Sequence, residues 1–301
     1  MLARLWRTTV AGSGLEVAAA TAQGPRAENQ DNLLVLLPSA AGGGRAWALA
    51  DGDMAEAEVT GWPAHAVRVA VLDGMGGHND GRLASETLTG WLRSLPFQSD
   101  PAALRAAVLA LHARLRALLP GPDERRGGST LFLIDLDLRS GQAVRLHVGD
   151  SRGYLWHRRK WHGLGHDQRA SEFARRDGES SSADDQPGGP LAQAMGFGSV
   201  TAFARAESAV NPGLRLDLAE DLADGAVDHA DVARLRLEPG DRLLLVTDGA
   251  LGDDEGLGLL TALAGAAAQA LVVGLSAAAA TASDNLTGVL LALDAGAAAT
   301  L

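Results

Sequence analysis

The sequence of 301 residues predicts an α+β protein, in which antiparallel sheets pack together and helices lie on their outer faces. Three observations favour this fold over a parallel βαβ array. Strand-like apolar runs dominate both ends of the chain, helical patterns come in pairs, and hairpin turns separate several strands. The chain is long enough to bury one large core, so we expect a single domain over residues 1–301.

The first third of the chain predicts four strands, each a short apolar run. They are Leu15–Thr21, Asn32–Leu37, Ala46–Ala50 and Val67–Asp73. Gly24-Pro25 separates the first two runs, which favours two strands that pair with each other. The acidic stretch Asp51–Glu58 lies between the last two and predicts a loop or an extended hairpin.

Helical periodicity appears in three places. Gly81–Leu95 and Pro101–Leu119 carry apolar residues every three or four positions, which predicts two consecutive helices. Near the other end of the chain, Leu257–Ala280 is rich in alanine and predicts one helix or a helix pair.

The remaining strands follow the second helix. They are Thr130–Leu138, Ala143–Val148, Gly153–Trp156, Lys160–Gly163, Arg242–Thr247 and Leu286–Leu293. The segment Arg139–Gln142 reads as a hairpin turn, and the first four strands as a continuous meander. Asp177–Gly189 is rich in Ser, Asp, Gly and Pro and predicts a mobile loop.

Composition excludes several function classes. The sequence has no cysteine, so disulfides, thiolate metal sites and a cysteine nucleophile are excluded. A net charge of −11 argues against nucleic acid as the main partner. We find no stretch apolar enough to span a membrane and no signal peptide in residues 1–10, so we expect a cytoplasmic protein without a membrane partner.

Four aspartates stand beside Gly or Asn at the ends of predicted strands. They are Asp31, Asp73, Asp248 and Asp284. Any single Asp-Gly is more readily explained as a turn. A carboxylate that leaves a buried strand is costly to desolvate, and several together raise each other's pKa, unless a cation binds them. Mg²⁺ or Mn²⁺ prefers such oxygen ligands, so the set predicts a two-metal hydrolase.

The order of the motifs is more specific than any one of them. The motifs are Arg26-Ala27-Glu28-Asn29-Gln30-Asp31, Asp73-Gly74-Met75-Gly76-Gly77-His78, Gly128-Ser129-Thr130, His147-Val148-Gly149-Asp150-Ser151-Arg152, Gly240 to Gly249, and Asp284-Asn285-Leu286-Thr287. In this order, from about Leu15 to Leu293, the chain resembles the bacterial PP2C-type (PPM) serine/threonine protein phosphatases.

The resemblance implies a fold and an activity. The fold is a four-layer α-β-β-α sandwich, two antiparallel sheets flanked by helix pairs, with the metals at one end of the sheets. The activity is that of a phosphoric monoester hydrolase in bacterial signalling, which attacks phosphoserine or phosphothreonine with a metal-bridging hydroxide. The partners would be a phosphoprotein substrate and a cognate Ser/Thr kinase.

The resemblance also implies a role for each matched residue. Asp73 would bridge two Mn²⁺ or Mg²⁺ ions, one of which the Gly74 carbonyl would also ligate. Asp248 and Asp284 would ligate the other ion, and Asp31 would bind directly or through a water. Together Asp73 and Asp31 would position the nucleophile.

Two further roles follow from the same resemblance. Arg26 would grip the substrate phosphate, a task that suits the paired donors of a guanidinium. Asp150 with Asp248 would hold a third, weakly bound cation, although Asp150 also reads as a hairpin residue that pairs with Arg152. His78 reads as a structural residue of its loop or as a catalytic group.

Several features depart from the family's pattern. Asp51-Gly52-Asp53 nearly copies the metal loop but lacks the glycines and helix that follow Asp73, so we prefer Asp73. Residues 38–66 then read as an insertion, and residues 170–212 as the flap region near the active site. Met75 leaves the proton donor to the leaving group open, and Gly252 stands where many relatives have an acid.

Three functions fit these observations. The first is an active phosphatase for phosphoserine and phosphothreonine. The second is a pseudophosphatase that only binds, which loss of a metal aspartate would mark, and none is lost. The third is a two-metal hydrolase of nucleotides or small phosphate esters. The ordered motifs favour the first.

Overall fold

The computed structural model describes residues 4–10, 12–76, 80–119, 127–165, 167–169, 191, 193–198, 232–251 and 257–294. Within these ranges, most strands belong to two antiparallel sheets, here called sheet I and sheet II. Sheet I has the order β1-β2-β17-β16-β11-β12, and sheet II has the order β15-β10-β9-β6-β3-β4-β5.

The strand bounds are as follows. Sheet I contains β1 (Arg4–Val10), β2 (Leu15–Ala22), β11 (Arg152–His157), β12 (Lys160–Gly163), β16 (Arg242–Val246) and β17 (Leu286–Leu293). Sheet II contains β3 (Asn32–Pro38), β4 (Gly44–Ala50), β5 (Asp53–Val59), β6 (Ala66–Leu72), β9 (Leu131–Asp137), β10 (Gln142–Val148) and β15 (Val232–Arg236). Two short pairs complete the set, β7 (Gly74–Met75) with β8 (Gly128–Ser129) and β13 (Gln193–Ala194) with β14 (Phe197–Gly198).

The helices lie on the outer faces of the two sheets. Helices α1 (Asp80–Ser94) and α2 (Pro101–Leu118) pack on sheet II, and α3 (Leu257–Leu263) and α4 (Ala270–Ala278) pack on sheet I. At the start of α2, the Asp100 carboxylate accepts a hydrogen bond from the Ala103 N–H at 2.9 Å, and proline occupies the first helical position. Among the described residues, no helix is both long and apolar enough to cross a membrane.

The main core lies between the two sheets. It joins inward-facing residues of sheet I, such as Val17, Leu245 and Val289, to residues of sheet II, such as Val35 and Val69. Central strands are buried on both faces, by the opposite sheet and by helices, so all eight residues of β17 are buried and its sequence does not alternate. The predicted four-layer α-β-β-α sandwich is confirmed.

Two predictions of strand pairing are wrong. Strands β2 and β3 were expected to pair with each other, but β2 pairs with β1 and β17 in sheet I, whereas β3 pairs with β4 and β6 in sheet II. The predicted meander also breaks after β10, because the chain crosses from sheet II to sheet I. Gly149 makes this crossing with φ +102°, close against the Thr130 side chain, where a Cβ would not fit.

Other differences concern single elements. Leu257–Ala280 forms the helix pair, and the acidic stretch forms β5, the second strand of a hairpin at the edge of sheet II. Strands β1 and β15 were not predicted. Whether residues 38–66 are an insertion stays a prediction. The loop Asp177–Gly189, most of the flap region 170–212, His78 and Gly252 lie outside the described residues.

The register gathers the ends of several strands at one end of the sandwich. In sheet I, Leu286 at the start of β17 pairs with Ala22 at the end of β2, and the start of β11 pairs with the end of β16 in the same way. In sheet II, Asn32 at the start of β3 pairs with Leu72 at the end of β6. Residues just outside these strand ends therefore converge.

Candidate metal centre

A cleft of about 800 Å³ opens at this end of the sandwich. Its walls come from the loop between β2 and β3, the turn after β6, and the residues just before β17. The lining residues are Arg26, Ala27, Glu28, Gln30, Asp73, Gly74, Met75, Gly76, Asp284 and Asn285. The structure thus places four of the predicted site residues around one cavity.

Asp31 stands directly before β3 and is 3% exposed. Its Oδ2 accepts a hydrogen bond from the Thr247 hydroxyl at 2.8 Å. Its Oδ1 is buried and has no hydrogen-bond partner among the described residues. Burial raises the pKa of Asp31 to about 7, with further increases from Asp248 and Asp284 and an opposing effect of nearby threonine hydroxyls.

Asp73 directly follows β6, and its backbone is fixed from both sides by Thr130. The Asp73 N–H donates to the Thr130 hydroxyl at 2.8 Å, and the Thr130 N–H donates to the Asp73 carbonyl at 2.8 Å. Desolvation raises the pKa of Asp73 well above its ordinary value, and Asp31, Asp248, Asp150 and Asp284 raise it further. The charges of four other carboxylates therefore add to the effect of burial on the pKa of Asp73.

Asp150 lies between β10 of sheet II and β11 of sheet I, and Asp248 follows β16 of sheet I. Asp150 follows β10 and is buried, and Asp248 begins a short 3-10 turn after β16. Burial raises the pKa of Asp150 to about 7; Asp248 raises it further, and Arg169 opposes the rise. The Arg169 guanidinium lies 2.6 Å from the Asp150 carboxylate and 3.6 Å from that of Asp248.

Arg26 and Asp284 form an ion pair at the rim of the cleft. Arg26 Nη2 lies 2.6 Å from Asp284 Oδ2, and its Nε donates to the Ser283 carbonyl at 3.1 Å. Both side chains are more than a third exposed, so the pair is screened by water and contributes about 0–1 kcal/mol. A cation or an anion with stronger contacts can therefore displace either partner.

Solved structures share this architecture. A Streptococcus agalactiae serine/threonine phosphatase superposes with a TM-score of 0.61 at 18% identity, over 93% of this chain and 100% of that chain. The PPM Ser-Thr phosphatase MsPP of Mycobacterium smegmatis, in complex with cacodylate, gives 0.57 at 25% identity, over 92% and 97%. This chain has the PPM phosphatase fold.

A further structure with this fold contains metal. It is the catalytic domain of the serine threonine protein phosphatase PstP in complex with two manganese ions, with a TM-score of 0.54 and 21% identity over 93% of this chain and 99% of that chain. No protein-family profile matches the present sequence, and no curated protein matches it. The evidence for the PPM fold therefore comes from the comparison of structures.

The donors of the present chain fit a divalent cation in their chemistry. They are all oxygens, and the buried Oδ1 of Asp31 is without a hydrogen-bond partner in the described ranges, as expected of a ligand atom. Gly74 also fits its predicted role. A Cβ there would collide with the carbonyls of Gln30 and Gly81, so only glycine lets the backbone pass here.

The carboxylates raise one another's pKa, but their side chains do not surround a single point. In the described ranges, no three Asp, Glu or His side chains are close enough together to hold an ion. Like charges repel, and two of the aspartates are drawn to Arg26 and Arg169. The assignment of metal ligands from the sequence therefore stays a prediction.

The alternative loop around Asp51 lies elsewhere. Asp51 is in the turn between β4 and β5, with a side chain that is 91% exposed and 3.1 Å from Arg82. It is not among the charges that raise the pKa of Asp31 or Asp73. Its Asp-Gly sequence serves a turn, in agreement with our preference for Asp73.

Sequence reasoning missed the polar residues that hold the cleft loop in place. Asn285 accepts a hydrogen bond from the Gln30 N–H at 2.9 Å and donates to the carbonyls of Gln23 and Glu28. Thr247, which contacts Asp31, stands next to Asp248 in the quoted motif. Both residues were visible in the motifs, but their role depends on contacts between distant segments.

Proposed function

We propose that this protein is a metal-dependent serine/threonine protein phosphatase. The observation that carries the proposal is Asp73, which lines the cleft of a PPM fold together with Asp284 and whose pKa is raised by burial and by the charges of Asp31, Asp248, Asp150 and Asp284. Such a concentration of buried and partly buried carboxylates is unfavourable by itself, and perturbed carboxylates of this kind are typical of functional sites.

Four aspartates and one carbonyl would hold two Mn²⁺ or Mg²⁺ ions. Asp31, Asp73 and the Gly74 carbonyl would contribute from sheet II, and Asp248 and Asp284 from sheet I. When bound, the cations supply a nucleophile from water at neutral pH and offset the charge of the phosphoryl group. The chain's own task is to fix the ligands, which it does through Thr130 and Thr247.

Arg26 would bind the substrate phosphate. Its side chain lines the cleft and is held by a weak, exposed pair with Asp284. If Asp284 ligated a cation, its carboxylate would no longer hold Arg26, and the guanidinium would be available to a phosphate. Two parallel charge-assisted hydrogen bonds from a guanidinium orient a phosphate better than a point charge does.

The substrate class and partners complete the proposal. An open cleft with an exposed arginine suits a phosphorylated side chain presented on a protein surface. We therefore infer a phosphoserine or phosphothreonine protein as substrate, a cognate Ser/Thr kinase that supplies it, and action in the cytoplasm. The net charge of −11 makes nucleic acid an unfavourable partner.

A single assay tests this function. Purified protein is incubated with a phosphoserine peptide, a phosphothreonine peptide, p-nitrophenyl phosphate and ATP, each with Mn²⁺, with Mg²⁺ and with excess EDTA. We expect phosphate release from the peptides only with metal. Undiminished turnover in EDTA contradicts the metal requirement, and turnover of ATP in preference to the peptides indicates a nucleotide hydrolase.

A further inference from the structure

The buried carboxylate of Asp150 already has a cation beside it, from the protein itself. Arg169 Nη2 lies 2.6 Å from Asp150 Oδ2 and 3.6 Å from Asp248 Oδ2. The same guanidinium therefore lies next to both residues that the sequence predicts as ligands of a third metal ion. Its side chain is 20% exposed, so it is mostly shielded from water.

The backbone around Arg169 is fixed to the turn that carries Asp150. The Gln168 N–H donates to the Gly149 carbonyl at 2.8 Å, and the Gly149 N–H donates to the Gln168 side chain at 2.9 Å. Arg169 itself forms an isolated antiparallel bridge with Leu191. These contacts place the guanidinium by tertiary structure, so it is not a surface arginine that meets an acid by chance.

A second arginine lies on the other side of Asp167. Arg152 makes two hydrogen bonds of 2.9 Å to Asp167, whose other contact is Arg169 Nε at 3.6 Å. Asp167 thus lies between two guanidinium groups. With Arg169 in this position, a divalent cation between Asp150 and Asp248 would meet an adjacent positive charge.

We propose that the Arg169 guanidinium is a built-in counterion for Asp150 and Asp248, which takes the place of a third divalent cation and limits the protein to two bound ions. The inference rests on the two-cation site proposed above and sets two as the largest number of ions that the protein binds. If it holds, it would replace the expectation, drawn from the family's pattern, that Asp150 and Asp248 hold a further metal.

Metal counting tests the inference without an activity assay. Wild-type protein is dialysed against Mn²⁺ up to millimolar concentrations, and bound manganese per protein is measured by atomic emission. We expect a plateau at two ions. Arg169→Ser removes the guanidinium and should add one ion per protein, whereas Arg169→Lys keeps a positive charge and should stay at two.

Arg82→Ser is the matched control, because it removes the same charge near the cleft and leaves the contacts of Asp150 unchanged. It should bind two ions. A wild-type plateau at three ions, or an Arg169→Ser plateau at two, overturns this inference and leaves the two-cation site intact. Binding of no manganese by wild type overturns both proposals. If Arg169→Ser does not fold, the test rests on wild type and Arg169→Lys. A plateau of two ions in both supports the inference, and a plateau of three ions in either overturns it.

Discussion

Asp135 and Asp31 are both almost completely buried, at 1% and 3% exposure, but in very different surroundings. Asp135 lies on the helix-covered face of sheet II, where Arg68 donates to both of its oxygens at 2.6 Å and the Gln98 N–H adds a third hydrogen bond. Asp31 lies at the open end of the sandwich, with one oxygen bound by Thr247 and the other unpartnered within the described ranges.

This difference is the one expected between a structural carboxylate and the functional carboxylates proposed at the open end. Burial raises the pKa of Asp135, but the charge and hydrogen bonds of Arg68 work against that rise. At the open end, the neighbours of Asp73 are mostly other aspartates, so burial and repulsion act in the same direction. The first arrangement is complete in the folded chain, whereas the second needs a cation to become favourable.

Asp73→Asn and Asp248→Asn test the functional side of the comparison and have the largest expected effect. Each removes charge from a proposed metal ligand, so we expect kcat/KM on a phosphopeptide to fall at least ~10³-fold. Asp51→Asn, in the similar Asp-Gly turn, should leave activity unchanged. Loss of activity in Asp51→Asn with tolerance of Asp73→Asn would mean that the wrong loop was chosen.

Asp135→Asn tests the structural side. It leaves the Arg68 guanidinium buried without its charged partner, which destabilises a fold by ~3–5 kcal/mol. We expect a lower denaturant midpoint with unchanged metal dependence of the folded protein's activity. Equal stability of Asp135→Asn and wild type would remove the distinction drawn here between the two regions.

Arg26→Ala should weaken phosphate engagement and leave metal binding intact. A hydrogen bond to a charged group is worth ~1.5–3 kcal/mol, so kcat/KM should fall roughly tenfold to a hundredfold. Arg45→Ala is a control, because Arg45 forms an exposed pair with Glu56, whose strand lies at the edge of sheet II. Unchanged kinetics in Arg26→Ala would show that Arg26 is a surface residue that does not bind the substrate phosphate.

The pH dependence of the metal-free protein is a further test of the open end. The pKa values of Asp31 and Asp150 are raised to about 7 in the folded state, above their ordinary value of 3.8. Between these values the folded state holds protons that the unfolded chain has released, so stability falls as pH rises through this window. In EDTA, the melting temperature should be lower at pH 7.5 than at pH 5; the opposite slope contradicts the assignment.

The sequence predicts the fold class and places the candidate aspartates at the ends of strands, because both depend on local signals. Apolar runs mark the strands, and Asp73 and Asp248 stand at the ends of two of them. Strand pairing is harder to predict from the sequence, because a loop such as that between β2 and β3 does not show whether the chain stays in one sheet. Strand β15 was missed because it is only five residues long and two of them are arginines.

The residues that complete the site were less predictable. Arg169 lies outside every quoted motif, and its contact with Asp150 exists only because Gln168 is fixed to Gly149. The alternative that Asp150 pairs with Arg152 fails for the same reason, since Arg152 pairs with Asp167 instead. Such ion pairs between loops are decided by tertiary packing.

A thermal melt of wild type and Asp73→Asn, each with Mn²⁺ and with EDTA, tests most directly whether the aspartates at the open end form a cation site. Metal that binds only the native state stabilises it by ~2.7 kcal/mol at a hundredfold excess over Kd, or roughly a few degrees in a protein of this size. We predict that wild type gains this shift, and that Asp73→Asn melts higher than wild type in EDTA but gains less from Mn²⁺. No shift of wild type at millimolar Mn²⁺, or a lower melting temperature of Asp73→Asn in EDTA, would contradict the account.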